Sequence, residues 1–316
     1  MITSDFSLIR ERLQQGDVIG FPTETVYGLA ANALNRQAVD RIFTTKNRPK
    51  SSPLIVHVAS IEQAQKYVNP FPPKALRLAE KFWPGPLTLI LPKKESISDL
   101  VTANQTNVAI RIPNHPSALQ LLNQLDFPLV APSANPFNRI SPTTAQHVEA
   151  YFPSIYTLDG GACQSGVEST ILGFEADEVV LLRHGAIAIE TIENEVGRIL
   201  NRTHATHERI LPGQHLKHYA PMCPLIVTYE PLFMLSAVKH KRVAIVWFQS
   251  IEIESIDVQL NLVLSPTGDL AEAAENVFAV LHQLDHVGLD LIIVQRLPAH
   301  GLGITINDRL DRAAAK

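Results

Sequence analysis

The stretch Gly20–Phe21–Pro22–Thr23–Glu24–Thr25–Val26–Tyr27–Gly28–Leu29–Ala30 follows Val18–Ile19 and joins a short apolar run, Val18 to Phe21, to a turn rich in hydroxyls and closed by a glycine. A run of this kind reads as a buried strand, so the polar groups of the turn stand at a strand end. Further strand-like runs recur at Leu54–Val58, Leu87–Leu91, Val108–Ile112, Leu129–Ala131, Ser169–Leu172 and Val179–Leu182, separated in part by helix-like segments. The alternation is that of an α/β chain with a sheet as its floor.

Helical spacing is clearest over Phe6–Leu13, where Phe6, Ile9, Arg10 and Leu13 recur, and over Ala38–Phe43, where Val39, Ile42 and Phe43 share a face. Asp5 caps the first helix and Gly16 ends it, while Pro142–Thr143–Thr144 opens another with proline near its first turn. With 316 residues the chain exceeds the roughly 250–300 at which one core stops growing, so two domains are expected. After Leu200 the segment Asn201–Arg209 has no apolar period and leads to Leu211–Pro212–Gly213, a linker signature. From Pro224 strands restart at Leu225–Thr228, Val243–Phe248 and Leu291–Val294, with a long helix over Asp269–Leu284 and a helical tail at Ala313–Lys316. The division is therefore 1–200 for a first domain, 201–223 for a linker and 224–316 for a smaller α/β domain.

A net charge of −4 argues against a chain whose main task is gripping nucleic-acid phosphates, which normally shows as a basic excess. No apolar run approaches the roughly 18 residues of a membrane helix, and Met1–Arg10 lacks the features of a signal peptide; a cytosolic protein is expected. The two cysteines, Cys163 and Cys223, read as reduced, buried thiols. The twelve histidines show no ligand spacing in the motif region, and His204, His207, His215 and His218 read as part of a solvated linker.

Further motifs carry chemistry. Lys46–Asn47–Arg48–Pro49 places two cations at a helix end, which Pro49 stops; both are expected at an exposed edge, either solvated at the helix C-terminus or converging on a ligand. His57 interrupts the apolar run Leu54–Val58 and Arg111 interrupts Val108–Ile112, so each needs a partner. For His57 that is a core hydrogen bond or a ligand; for Arg111 it is an internal carboxylate or an anionic substrate. Ala131–Pro132–Ser133–Ala134–Asn135 ends a strand, where ligand crevices form in open sheets. Ser141 precedes a helix, as a plain cap or as part of an anion site. Gly166–Val167–Glu168–Ser169–Thr170–Ile171 leads into a strand, and Arg183–His184–Gly185 ends the next. The chain has neither a phosphate-binding Gly-x-x-x-x-Gly-Lys loop nor a Gly-x-Gly-x-x-Gly fingerprint. A Ser-His-Asp trio from Ser169, His57 and Asp159 is formally available, but no nucleophile elbow surrounds Ser169.

These motifs, in this order, resemble the threonylcarbamoyl-adenylate synthase family of the YrdC type, in its longer two-domain form because of Lys217–His218–Tyr219–Ala220–Pro221. The resemblance is strongest over Gly20–Gly185. In the tail Gly301–Leu310, Ile304–Thr305–Ile306 and Asp308 depart from the family pattern. It implies a YrdC-like twisted-sheet α/β domain followed by a Rossmann-like α/β domain, and a nucleotidyltransferase that joins L-threonine, bicarbonate and ATP into threonylcarbamoyl-AMP with release of pyrophosphate. The product would serve N6-threonylcarbamoyladenosine modification of tRNA, with tRNA or a downstream threonylcarbamoyl-transferase complex as partner. By resemblance, Lys46, Arg48, Ser133 and Asn135 form the catalytic tetrad, and Thr23, His57, Arg111, Ala131 and Ser169 hold L-threonine. Arg48, Ser52, Asn107, Ser133, Ser141, Arg183 and Tyr219 hold ATP, with Tyr219 on a loop laid over the pocket. Mg²⁺ is expected to travel with the triphosphate, its shell touched by Glu24 or Glu168, and no structural metal is expected.

Overall fold

The structure, a computed structural model, describes residues 1–176, 178–203, 218–238, 241–252 and 257–315. Two sheets organise them. The larger runs, edge to edge, through Ile2–Thr3, Thr157–Leu158, Ile19–Phe21, Gly28–Asn32, Leu129–Val130, Ile55–His57, Asn107–Arg111, Leu87–Pro92, Thr170–Glu175, Glu178–Arg183 and Leu200–Asn201. Its pairings mix parallel and antiparallel. Ile55–His57 lies parallel to Asn107–Arg111, with His57 opposite Arg111, and antiparallel to Leu129–Val130.

Side-chain alternation gives this sheet two different faces. Val56, Ile110, Val130, Leu87, Leu89 and Leu91 point into a core closed by the helices Arg36–Lys46 and Pro73–Phe82. The opposite face packs at one end against the helices Phe6–Gln14 and Pro116–Asn123. At the other end of that face His57 and Arg111 stand side by side. Asp5 does cap the first helix, accepting from the Ser7 and Leu8 amides at 2.8 and 3.1 Å. Ile9 and Leu13 of that helix are fully buried, each contributing about 1.5–3 kcal/mol; Leu13→Ala would cost about 2–5 kcal/mol.

The smaller sheet is entirely parallel, in the order Leu225–Thr228, Leu291–Gln295, Val243–Trp247 and Leu260–Val263. Ala244, Val246, Ile292 and Val294 face the helices Leu270–Asp285 and Leu302–Ala314. Val243, Ile245, Leu291 and Ile293 face Met234 and Leu235 of the helix Pro231–Ala237. Helices on both faces of a parallel sheet are what the Rossmann-like expectation describes. The core behind Ala244 also takes in Val26, Ile140, Val167 and Tyr219, so the two units share one apolar seam. Gly166 makes the approach possible: a Cβ there would stand 2.3 Å from the Ala274 carbonyl oxygen, and its φ is +65°.

Several local readings are corrected. Pro142 lies before the helix Ala145–Tyr151, which Thr144 caps, so proline is not in its first turn. The helix ending at Lys46 is stopped by Asn47 in the left-handed region, φ 52°, one residue before Arg48 and two before Pro49. Gly28, read as the close of a turn, begins a strand that the sequence reading did not assign, Gly28–Asn32, paired with both Ile19–Phe21 and Leu129–Val130. Cys163 is buried but Cys223 is only partly so. Lys217, Pro212, Gly213, His204, His207 and His215 lie outside the described residues, as does Lys316.

Candidate active site

A cleft of about 590 Å³, counting its open mouth, lies on the His57–Arg111 face of the larger sheet. Nine residues singled out in the sequence line it together: Thr23, Arg48, His57, Arg111, Ala131, Ser133, Ser169, Arg183 and Tyr219.

The hydroxyl-rich turn forms the cleft's first wall. Thr23 Oγ1 accepts from the Thr25 and Val26 amides at 3.2 and 3.3 Å and donates to the Val26 carbonyl at 2.6 Å, which holds the turn tight. Thr25 Oγ1 accepts from Arg111 Nη1 at 2.9 Å, and Arg111 Nη2 lies 2.6 Å from Glu24 Oε2. Arg111 and Glu24 are each about 4% exposed, so this is a buried ion pair. Arg111 thus has the internal carboxylate its place in a strand demanded, and still lines the cleft.

His57 sits beside it. Its Nδ1 lies 3.2 Å from the Ile55 carbonyl, which fixes that nitrogen as the donor and leaves Nε2 with a lone pair. Burial, with Arg111 adding to it, pulls the ring down to about 3, so it is neutral at physiological pH.

The cations expected at an exposed edge are instead buried. Lys46 donates to the main-chain carbonyls of Ser133 and Asn135, behind the cleft wall. Burial, and then Arg48, hold its ammonium well below the ordinary lysine range. Arg48 does line the cleft, donating to the Pro53 carbonyl at 3.1 Å, and burial lowers it to about 10, with Arg183 adding to the shift and Tyr219 opposing it. Arg183 reaches the Ser169 carbonyl at 2.8 Å and its hydroxyl at 3.1 Å, while Thr88 Oγ1 lies 2.7 Å from Ser169 Oγ. Ser169 therefore belongs to a hydroxyl–guanidinium network and not to a Ser-His-Asp trio; Asp159 is exposed and accepts from the Gly161 amide.

Glu168 also lines the cleft, whereas Ser52, Asn135, Ser141 and Asn107 lie outside the lining. Ser52 is fully buried beneath Arg48, whose Nε lies 3.4 Å from its carbonyl. Asn135 Nδ2 donates to the Pro136 and Arg139 carbonyls at 2.9 and 3.0 Å, and its buried Oδ1 has no donor among the described residues. Ser141 donates to Glu168 Oε1 at 2.9 Å and caps no helix. Asn107 begins the strand that Arg111 ends, on the same face and about 13 Å away at strand spacing.

The roof comes from the linker end and the second unit. Tyr219 is 1% exposed, in the left-handed region at φ 63°, with its ring stacked on Phe278 at 5.3 Å. His218, read as solvated, is buried against Phe137 and Tyr219, lines the cleft and is lowered to about 3, chiefly by burial. Glu168 Oε2 meets Arg309 Nε at 2.8 Å. Both carboxylates considered for a Mg²⁺ shell are thus engaged, Glu24 by Arg111 and Glu168 by Ser141 and Arg309. Arg309 lies in the family-like tail Gly301–Leu310, but the sequence reading gave it no role in the site.

A buried, cationic, hydroxyl-lined cleft closed by a second parallel-sheet unit defines a two-domain α/β protein built to hold an anionic small molecule. A family model described as telomere recombination, Sua5, YciO and YrdC, matches residues 11–185, and one described as threonylcarbamoyl-AMP synthase, C-terminal domain, matches residues 187–315. A threonylcarbamoyl-AMP synthase of Pyrococcus abyssi is 38% identical over 96% of this chain and 92% of its own, and one of Bacillus subtilis is 38% identical over 96% and 90%. The crystal structure of P. abyssi Sua5 complexed with L-threonine matches with a TM-score of 0.89 and 36% identity, covering 98% of this chain and 94% of that one. The chain belongs to the threonylcarbamoyl-AMP synthase family. Among the described residues no helix is long and apolar enough to cross a membrane, and no group of three or more His, Cys, Asp or Glu side chains could hold a metal ion.

Proposed function

We propose that this chain makes threonylcarbamoyl-AMP from L-threonine, bicarbonate and ATP, as a nucleotidyltransferase. In this reaction the threonine amine condenses with bicarbonate, releasing water and a proton to solvent; an oxygen of the resulting carbamate group attacks the α-phosphorus, a new P–O bond forms, and the bond to the bridging β-phosphate oxygen breaks to release pyrophosphate. Charge shifts among phosphate oxygens, so the site needs fixed cations more than a protein nucleophile. The observation that carries the reading is the meeting, in one cleft, of Arg48 and Arg183 with the Thr23–Thr25 turn, His57 and Arg111.

The division of the cleft follows the sheet. L-Threonine is assigned to the Arg111 end, where Thr23, His57, Ala131 and Ser169 surround it. Arg111 is already held by Glu24 and Thr25, so it offers its remaining guanidinium face to the substrate carboxylate without reorganising. His57, neutral with a lone pair on Nε2, is too weak a base to take the ammonium proton and serves as a hydrogen-bond acceptor. The nucleotide is assigned to Arg48, Ser133, Arg183 and Tyr219, extending toward Ser52 and Asn107. Lys46 and Asn135 shape the Ser133 loop, and Ser141 acts through Glu168. Mg²⁺ would be held by phosphate oxygens and water, where it would neutralise triphosphate charge. Residues 1–200 act as the catalytic domain, 201–223 as a covering linker and 224–316 as the domain that completes the roof. The adenylate would pass to a tRNA threonylcarbamoyl-transferase system in the cytoplasm.

The test is pyrophosphate release from ATP and bicarbonate with and without L-threonine. Threonine-dependent release is expected; release that ignores threonine, or none, removes the assignment.

A further inference from the structure

Arg309 lies on the final described helix, Leu302–Ala314, yet its guanidinium is 1% exposed and reaches into the wall of the cleft. Nε meets Glu168 Oε2 at 2.8 Å, Nη2 donates to the His184 carbonyl at 2.7 Å, and Nη1 faces Asp308. The guanidinium carbon stands 5.4 Å from the centroid of the Tyr219 ring. About one turn earlier on the same helix, Thr305 donates to the Gly185 carbonyl at 2.9 Å. The helix therefore grips both ends of the segment Glu168–Gly185 that carries Ser169 and Arg183.

Glu168 is the lining carboxylate nearest these cations, and it faces a cleft assigned to a triphosphate. Left uncompensated, it would repel phosphate oxygens and compete for Arg183. Burial pushes its carboxyl up, but Arg309, with Arg183 and His218 adding, outweighs that and keeps it below the usual carboxylate range. The groups facing the pair are Arg183, His218, Ser141, Tyr219 and Asp308.

We infer that Arg309 is a positioning residue for the nucleotide: it cancels the Glu168 charge, orients Tyr219, and so makes the second domain part of the ATP site. The inference rests on the synthase reading above. Its chemistry requires no contact between Arg309 and substrate, only a charge held against Glu168.

The experiment measures pyrophosphate release by the full chain at varied ATP and threonine for Arg309→Met, Arg309→Lys and the double variant Arg309→Met/Glu168→Gln. Threonine-dependent release by the unaltered chain first establishes the underlying reading on its own. Arg309→Met should raise the ATP requirement by roughly tenfold or more, as expected when one partner of a buried charge pair is removed, with the threonine requirement little changed. Adding Glu168→Gln should recover most of that loss. As pH falls the gap between Arg309→Met and the unaltered chain should narrow, because burial, no longer outweighed by Arg309, pushes the Glu168 carboxyl up. Arg309→Lys should fall between. An unchanged ATP requirement in Arg309→Met overturns the inference, as does a loss that neither Glu168→Gln nor lower pH reduces. If Arg309→Met does not fold, Arg309→Lys decides: it should raise the ATP requirement a few-fold with the threonine requirement little changed, and a rise in both requirements alike overturns the proposal.

Discussion

The ammonium of Lys46 meets the main-chain carbonyl of Ser133 and, one turn of loop further, that of Asn135. The lysine is a strut beneath the loop that presents Ser133, while its neighbour Arg48 faces the cleft itself. The two cations of one motif therefore divide their work between shape and charge.

That division is measurable. Lys46→Met removes the donor to the buried Asn135 carbonyl and leaves the Ser133 carbonyl with the Asn135 amide alone; at about 1–3 kcal/mol for an unsatisfied group it should lower the thermal midpoint by a few degrees, at about 2–4 °C per kcal/mol, together with activity. Arg48→Ala also strips the donor from the Pro53 carbonyl, so its thermal loss should be comparable, but it should cut turnover by about 100-fold or more, as for loss of a charge donor to the reacting phosphate. Paired melting curves and turnover numbers check the contrast, and an equal turnover loss in the two variants would contradict it.

The Arg111–Glu24 pair gives a second expectation. Arg111→Met should destabilise the chain by about 3–5 kcal/mol, because Glu24 is left buried and alone. Arg111→Met/Glu24→Gln should recover much of the stability but none of the threonine affinity. Chemical denaturation alongside threonine titration separates the two effects; recovery of threonine use in the double variant would remove Arg111 from the substrate site.

Tyr219 is held by its ring against Phe278 and by a strained backbone. Tyr219→Ala should weaken ATP binding and raise the fraction of intermediate lost to hydrolysis, since a roof excludes water from the mixed anhydride. Tyr219→Phe, which keeps the stack, should stay near the unaltered chain. Calorimetric ATP titration and product partitioning report both, and wild-type values for Tyr219→Ala would make the segment a passive tether.

Acid should loosen the seam between the domains. His147 and His282 stack with centroids 3.8 Å apart, near His286, Tyr151, Arg139 and Asp285. Burial, with His286 adding, lowers His147 to about 4; burial, with His147 adding, lowers His282 to about 3. The unfolded chain takes up these protons near pH 6.5, so stability is complete above that and falls as pH drops toward 4, at up to about 1.4 kcal/mol per pH unit for each buried histidine. Thermal midpoints at about pH 7 and pH 5 should show a loss that His282→Phe reduces; an identical loss in the variant would place the acid sensitivity elsewhere.

The strand framework was legible because its runs are apolar and bounded by turn residues, and the cleft was legible wherever a polar residue broke such a run, as His57 and Arg111 do. Gly28–Asn32 was hidden because glycine and alanine carry little strand signal, and only its two neighbours make it a strand. Burial at Lys46, Arg48 and His218 was not legible, since each stands in a polar local context and is covered by residues far along the chain. The partners of Glu24 and Glu168 share this origin. Arg111 and Arg309 come from 86 or more residues away, and nothing local announces an ion pair of that kind.

The contact between Glu168 and Arg309 spans 141 residues. A ribosome translating this chain therefore completes every strand of the larger sheet well before it supplies the guanidinium that balances the cleft. At about 5–20 residues per second, that leaves an interval of several seconds or more in which the chain of the larger sheet is complete but Glu168 lacks its Arg309 partner. If Arg309 positions the nucleotide as inferred, competence for ATP is a late event of synthesis, timed by the position of one arginine.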